Sequence, residues 1–334
     1  MPASQQLVAM RNAVRACIEP TPIVVGCSGG PDSLALTAAA AWVADHLGIV
    51  ITAAIIDHGL QAESADVAQQ AAEACRMLGV ADVVVQRVHV GTHGGMEAAA
   101  RDARRAALQV IAVQRGSEQI LLAHTREDQA ETVLLRLARG AGARSLAAMR
   151  TCATPWHRPL LDTSRTNVHA VATEVCAPLG ITPWRDPHNL DRAFARVRVR
   201  SLLDELVADL GPGIVHGLTR SASLLGDDAD LLDRWADAEY ARVVEVSGSE
   251  VCSDVAALME LPRALRTRVL RRMHAELVGP DTELSFDHVG QLDQYITTWH
   301  GQGPTRLPGG VRAEVAYERL CLRREPNPES TARE

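Results

Sequence analysis

Two short stretches hold residue types that could do chemistry. The first is Ser28-Gly29-Gly30-Pro31-Asp32-Ser33, set between the apolar run Ile23 to Gly26 and the Ala/Leu-rich run Leu34 to Ala44. Gly29 and Gly30 take positive φ without Cβ strain, so successive backbone N–H groups can turn inward around an anion. Pro31 suits a first helical turn, where its missing N–H has no partner to lose. A helix starting there aims unpaired donors and partial positive charge at the loop, which makes a phosphate site. The chain contains no lysine, so all 34 basic residues are arginine and a Walker-type G-x-x-x-x-G-K-[ST] loop is excluded. The dinucleotide pattern G-x-G-x-x-G is missing as well. An acid in the first turn, Asp32, makes sense beside phosphate when Mg²⁺ bridges the two. The second stretch is His124 to Glu131, where Glu127, Asp128 and Glu131 stand at i, i+1 and i+4 and crowd one side of a helix start. The helix dipole offsets part of their repulsion, and a cation, either Mg²⁺ or a substrate ammonium, would offset the rest.

The elements that position these stretches follow from periodicity. The first 16 residues read as an amphipathic helix leading into a strand at Ile23. After the loop and its helix come a strand over Ile49 to Ile56 ending at Asp57-His58-Gly59, and a helix over Ala62 to Leu78. A strand over Asp82 to Val90, a helix over Met96 to Gln114, a strand over Gln119 to Ala123 and a helix from Arg126 to Arg139 complete the series. This alternation predicts an α/β fold with a doubly wound parallel sheet, Rossmann-like in its winding. Ligands in such sheets bind at the carboxyl ends of the strands, where Ser28 to Ser33, Asp57 to Gly59 and His124 to Glu131 all begin. Gly211-Pro212-Gly213 breaks the pattern, and Ile214 to Val246 reads as one long helix. Beyond it lie a basic helix, Pro262 to Met273, and a hairpin or small sheet over Leu307 to Leu322. The resulting division is 1–205 for the α/β domain, 206–248 for a helical linker, 249–324 for a smaller α+β domain and 325–334 for a disordered polar tail.

A length of 334 residues fits about two domains of roughly 150 residues. With 47% apolar, 22% charged and only 3% aromatic residues, the composition is that of a globular protein rich in small-residue helix packing. The longest apolar run is too short for a bilayer, and the N-terminus lacks a signal-peptide pattern, so a cytoplasmic protein without membrane contact is expected. Seven cysteines with no C-x-x-C pair argue against a disulfide scaffold, a zinc site or an iron–sulfur centre, and fit a reducing compartment. The net charge of −7 conceals a strong asymmetry: residues 101–200 carry 16 arginines against 9 acids, while both flanking segments are acidic. Such local charge can hold a polyanion despite the negative total.

The loop matches S-G-G-x-D-S and resembles the pyrophosphatase-loop (PP-loop) family of enzymes, which cleave ATP between the α- and β-phosphates. The run Ala123-His124-Thr125-Arg126-Glu127-Asp128-Gln129-Ala130-Glu131-Thr132, continuing to Arg136, Arg139 and Gly140, is similar to the A-H-x-x-D-D-Q-A-E-T-x-x-x-R-x-x-R-G run of the tRNA(Ile)-lysidine synthase family. Asp57-His58-Gly59-Leu60, Glu97-x-x-Ala100-Arg101-x-x-Arg104, Arg158-Pro159-Leu160-Leu161, Asp186-Pro187-His188-Asn189 and Arg196-x-Arg198-x-Arg200 match in order, covering most of residues 23 to 202.

The resemblance implies a ligase that adenylates C2 of the wobble cytidine (position 34) in CAU-anticodon tRNA(Ile) and then joins L-lysine there, releasing AMP and pyrophosphate. It implies that Ser28, Gly29, Gly30, Pro31, Asp32, Ser33 and Asp57 hold ATP, with Mg²⁺ on Asp32 and Glu127. Arg101, Arg104 and Arg196 would meet the α-phosphate, and Asp128 and Glu131 the lysine, with a base to deprotonate its amine among their roles. Glu127 replaces the family's first Asp, and Val197 its usual Asn. The C-terminal part resembles the first of two tRNA-recognition domains, as in the family's shorter form, and a homodimer stays open. Two alternatives also stay open: another PP-loop tRNA-modifying enzyme of the thiolase type, against which the missing C-x-x-C speaks, and a non-catalytic nucleotide- and RNA-binding protein.

Overall fold

A computed structural model describes residues 2–59, 63–89, 91, 96–187, 191–279 and 282–325. Leu60, the side chain of Glu97, His188, Asn189 and the tail from 326 onward, all singled out in the sequence, lie outside the described residues. The chain forms two compact units, Met1–Gly226 and Asp227–Glu334.

The first unit runs α1 (Gln5–Cys17), β1 (Ile23–Gly26), α2 (Pro31–Leu47), β2 (Ile51–Asp57), α3 (Ser64–Met77), β3 (Asp82–Arg87) and α4 (Met96–Gln114). It continues through β4 (Gln119–Leu121), α5 (Arg126–Leu137), α6 (Ala143–Leu146), β5 (Cys152–Ala153), β6 (Trp156–His157), α7 (Arg165–Cys176) and α8 (Ala195–Leu210). The sheet has the order β3-β2-β1-β4-β6-β5 and is parallel except for β5, which returns antiparallel to β6. Side chains alternate across it. Val24, Ala54, Ile120 and Trp156 face one side with Leu108 and Ile111 of α4, whereas Ile23, Val25 and Leu121 face the other with α1, α2 and α7. Both faces are thus covered, which is why these strands are continuous apolar runs with no polar alternation.

Helix α2 starts on Gly30 with Pro31 in its first turn and ends on Gly48 in the left-handed conformation, whose N–H reaches Ala44 O and Asp45 O. Its buried Ala35, Ala39, Ala40 and Ala44 let neighbouring helices approach closely. Strands β3 and β4 are shorter than the apolar pattern predicts, ending at Arg87 and Leu121. The chain leaves the ladder there to deliver the segments at the carboxyl ends of the strands.

The long helix α9 is Gly213–Val243, ending three residues earlier than expected, because Val244–Ser247 is a strand, β7, turning at Gly248 (φ 58°) into β8 (Glu250–Asp254). The second unit continues with α10 (Val255–Glu260), α11 (Arg263–Val278), α12 (Phe286–Thr297), β9 (Thr305–Leu307), β10 (Val311–Ala316) and β11 (Arg319–Arg324). The small sheet expected near the end is five-stranded and antiparallel, in the order β7-β8-β11-β10-β9. Cys252 and Cys321, directly opposed on β8 and β11, form a disulfide, so the expectation of unbridged cysteines fails for this pair. Nor does the basic helix α11 turn its arginines outward as a set. Arg266 is buried against Asp293 at 2.7 Å, Arg268 meets Asp233 at 2.7 Å, and Arg272 pairs with Asp237. These guanidiniums bind the unit's own helices together. Among the described residues no helix is long and apolar enough to cross a membrane.

Leu121 is fully buried between β1 and the α2 side of the sheet. Leu121→Ala is expected to lower the unfolding free energy of the first unit by about 2–5 kcal/mol, read from urea denaturation followed by circular dichroism.

Candidate active site

The glycine loop follows β1, and its shape is fixed by hydroxyls. Ser33 Oγ donates to Gly30 O at 3.0 Å and accepts from Ser28 N at 3.1 Å, which closes the turn. Gly29 sits at φ +77°, where a Cβ would also fall 3.0 Å from Ala71 Cβ, so glycine is required twice over. Its carbonyl accepts from Trp184 N at 2.9 Å, anchoring the loop's outer side. The first turn of α2, with Asp32 and Ser33, leaves its N–H groups facing this loop without intrahelical partners.

Asp32 Oδ1 lies 3.0 Å from His169 Nε2 on α7, yet it is buried and has no well-directed hydrogen bond. Burial pushes the Asp32 carboxyl above its usual range; the charge of Asp128 adds to this, while His169 and Arg165 oppose it. A buried carboxylate oxygen in need of a cation fits Mg²⁺. Asp57, at the end of β2, is less available. Its Oδ1 accepts from Gly59 N at 2.9 Å, shaping the turn, and its Oδ2 is 3.8 Å from Arg87 Nε.

The three acids of α5 are crowded as expected but have separate partners. Thr125 caps the helix, and Asp128 Oδ2 returns the bond to Thr125 N at 2.8 Å, a capping box. Asp128 Oδ1 receives Arg165 Nη2 at 3.1 Å and Arg196 Nη2 at 3.4 Å. Burial works to raise the Asp128 carboxyl, but Arg196 and Arg165 override it and hold it at about 2. Glu131 is fully buried and takes three guanidiniums: Arg165 at 3.0 Å, Arg200 at 2.9 Å and Arg196 at 3.2 Å. Glu127, expected on a metal, instead accepts the backbone N–H of Arg165 at 2.8 Å through Oε2 and so caps α7. Arginines of the protein itself thus join Asp128 and Glu131, whereas Glu127 holds a backbone amide.

Arg101 and Arg104, on α4, have a different setting. Among the described residues neither makes an ion pair with a carboxylate. Burial pushes Arg104 down to about 10, with Arg101, Arg196 and Arg105 adding repulsion. Arg158, after β6, is likewise lowered to about 10 by burial and by Arg105, Arg101 and Arg136; its Nη1 is held by Arg150 O and its Nε has no partner. Arg101 is lowered by burial and by Arg196. His124 is pushed down to about 3 by burial, with Arg196 and Arg104 contributing, so its buried imidazole is neutral. Guanidiniums brought together without counter-charge form a site for an anion of more than one charge.

Of the residues expected from sequence, the structure brings Asp32, Asp128, Glu131, Arg101, Arg104 and Arg196 into one electrostatic group, while Asp57 shapes a turn and Glu127 caps α7. The sequence reading misses Arg165, whose backbone and side chain touch all three acids of α5, and His169 beside Asp32. The only local sign of Arg165 is its place at a helix start behind Ser164, whose side chain accepts from Asn167 N.

The fold and the glycine loop define a PP-loop protein, and the PP-loop domain family matches residues 4–206. The TilS substrate binding domain family matches residues 254–322. A tRNA(Ile)-lysidine synthase of Thermobifida fusca is 48% identical over 308 residues, covering 91% of this chain and 93% of that protein. One of Mycobacterium tuberculosis is 45% identical over 312 residues, covering 90% and 91%. The chain belongs to the tRNA(Ile)-lysidine synthase family. A solved structure, the U34-tRNA thiolase NcsA from Methanococcus maripaludis with its [4Fe-4S] cluster, covers 66% of this chain and 80% of its own at a TM-score of 0.53 and 18% identity, a likeness of fold.

Because burial and then neighbouring guanidiniums disfavour the Arg104 charge, pyrophosphate is expected to raise the melting temperature of the wild-type chain by several degrees. Arg104→Gln is expected to melt higher than wild type without anion and to respond little to pyrophosphate, as read by differential scanning fluorimetry at low salt. A wild-type response retained in Arg104→Gln would remove this arginine from the anion site.

Proposed function

We propose that the chain is an ATP-dependent ligase that attaches L-lysine to C2 of the wobble cytidine in CAU-anticodon tRNA(Ile), a tRNA(Ile)-lysidine synthase acting in the cytoplasm. The observation that carries this reading is a set of guanidiniums, Arg101, Arg104 and Arg158, that among the described residues make no ion pair with a carboxylate and stand on the segments following β3 and β6. Such a group is stabilised by ATP phosphates and an RNA backbone arriving together.

In the first step the C2 oxygen of cytidine attacks the α-phosphorus of ATP and the bond to the β,γ-pyrophosphate breaks. The loop N–H groups of Ser28 to Ser33 take the leaving pyrophosphate. Arg104 and Arg101 stabilise the charge that grows on the α-phosphate oxygens, the role for which a planar guanidinium fork is suited. Arg196 is held by Asp128 and Glu131, so it presents its remaining donors from a fixed position. Mg²⁺, when bound at Asp32, supplies charge neutralisation for the phosphates.

In the second step the amino group of lysine attacks C2, loses a proton, and AMP departs with its oxygen. Asp128 is the carboxylate for a lysine ammonium. Held at about 2, it stays ionised at neutral pH, which makes it an anchor and not the base that deprotonates the amine. Glu131 acts through the arginines it positions. Residues 249–324 are the tRNA-recognition part of this proposal. The thiolase reading gains nothing from the site: among the described residues no three cysteines gather.

Asp32→Asn and Asp128→Asn are each expected to reduce incorporation of labelled lysine into the CAU-anticodon tRNA(Ile) transcript by at least about 100-fold, with unchanged circular dichroism. Wild-type incorporation in either variant would overturn that residue's role. A product that takes up sulfur and no lysine would overturn the reading as a whole.

A further inference from the structure

Away from the nucleotide loop, three side chains from separate parts of the first unit meet. Cys17 ends α1, Cys152 begins β5, and His157 ends β6 directly opposite Cys152 in the hairpin register. One ligand atom from each lies within 4.8 Å of the other two. We propose that Cys17, Cys152 and His157 bind one thiophilic divalent cation of the zinc type, which staples the end of α1 to the β5–β6 hairpin.

The spacing is already close to that of such a site. Zinc bonds of about 2.3 Å to sulfur and about 2.0 Å to nitrogen, at tetrahedral angles, set the ligand atoms roughly 3.5 Å apart. Cys17 Sγ stands 3.8 Å from His157 Nδ1, so a shift of a few tenths of an ångström completes that edge. Cys17 and His157 are buried and Cys152 is exposed, so the cluster has a solid floor and an open side through which an ion and a fourth, water ligand can enter.

The imidazole favours a cation over a disulfide. His157 is buried, and Nδ1, the ligand nitrogen, gives up its 2.8 Å contact with Cys17 O as the ion enters, the ring proton then sitting on Nε2, which has no other partner. A sulfur–sulfur bond would use neither ring nitrogen. A thiophilic cation takes its sulfur ligands as thiolates. Binding therefore displaces a proton from each sulfur, two protons leaving as one divalent ion enters, with no change of oxidation state. The residue after His157 is Arg158, so the same clip would steady one member of the unpaired arginine group. The site has no sequence signature because its ligands come from elements far apart in the chain, which is also why the scattered cysteines argued against zinc.

The proposal does not depend on the ligase reading and is tested without assaying activity. The full chain, reduced and treated with chelator, is titrated with Co²⁺ and followed by near-ultraviolet thiolate-to-cobalt charge-transfer absorption, by proton release and by melting temperature. One equivalent is expected to bind, raise the melting temperature, and be displaced by Zn²⁺. Cys17→Ser and exposed Cys152→Ser are each expected to weaken binding at least about 100-fold, while Cys252→Ser, which removes the other sulfur pair, leaves it unchanged. No charge-transfer band, a band that survives in Cys152→Ser, or thiol mapping that finds Cys17 and Cys152 joined to each other in the isolated protein would overturn the proposal.

Discussion

A carboxylate with no access to water cannot stay ionised alone; the cost of removing it from solvent has to be met by close, well-directed cations. Glu131 is that group. Three guanidiniums reach its two oxygens, one from the start of α7 and two from successive turns of α8. Each of those arginines is thereby fixed, and with them the elements that carry them. Asp128, one helical turn earlier, shares two of the same arginines, so α5, α7 and α8 meet in a lattice of alternating charge. Removing one partner would strand a buried charge. That penalty is what holds the far wall of the site in a single arrangement.

The opposite half of the site is built on an imbalance. Among the described residues Arg101, Arg104 and Arg158 make no ion pair with a carboxylate, and burial first, then neighbouring guanidiniums, lowers their proton affinity. The middle third thus holds two kinds of arginine, one set paired with buried acids and one that makes no ion pair with a carboxylate among the described residues. The net charge of −7 says nothing of this division. The excess of arginine over acid within residues 101–200 reflects it, although only the structure separates the arginines that hold Glu131 from those left for phosphate. The hydroxyl-locked loop of Ser28 and Ser33 completes the receptor with neutral donors, which take a leaving group without repelling metal.

What could be read from the sequence was local. The strand–loop–helix from Ile23 through α2 is written in adjacent residues, with Gly29 at positive φ and Pro31 in the first helical turn, although Gly30 (φ −76°) does not use the freedom expected of it, and the helix Met96–Gln114 falls where its periodicity places it. What could not be read depends on distant partners. Val244–Ser247 looks like the end of a helix until β8 is there to pair with it. The arginines of α11 are legible as a basic row, but their partners Asp233, Asp237 and Asp293 come from α9 and α12. Glu127 has the chemistry of a metal ligand, but the unsatisfied N–H of Arg165 at a helix start 38 residues later claims it. Cys252 and Cys321 are 69 residues apart and meet only through strand register.

The central claim is that the unpaired arginines and the glycine loop together orient ATP so that the bond made to RNA is at the α-phosphorus. The most direct measurement withholds the second nucleophile: the chain, Mg²⁺ and CAU-anticodon tRNA(Ile) are incubated without lysine, in parallel with α-labelled and γ-labelled ATP, and the RNA is isolated. The account requires label from the α position alone to appear on the RNA, to be lost as AMP when lysine is added, and to be absent in Arg104→Gln. Label from the γ position on the RNA, or ADP as the released nucleotide, would contradict it.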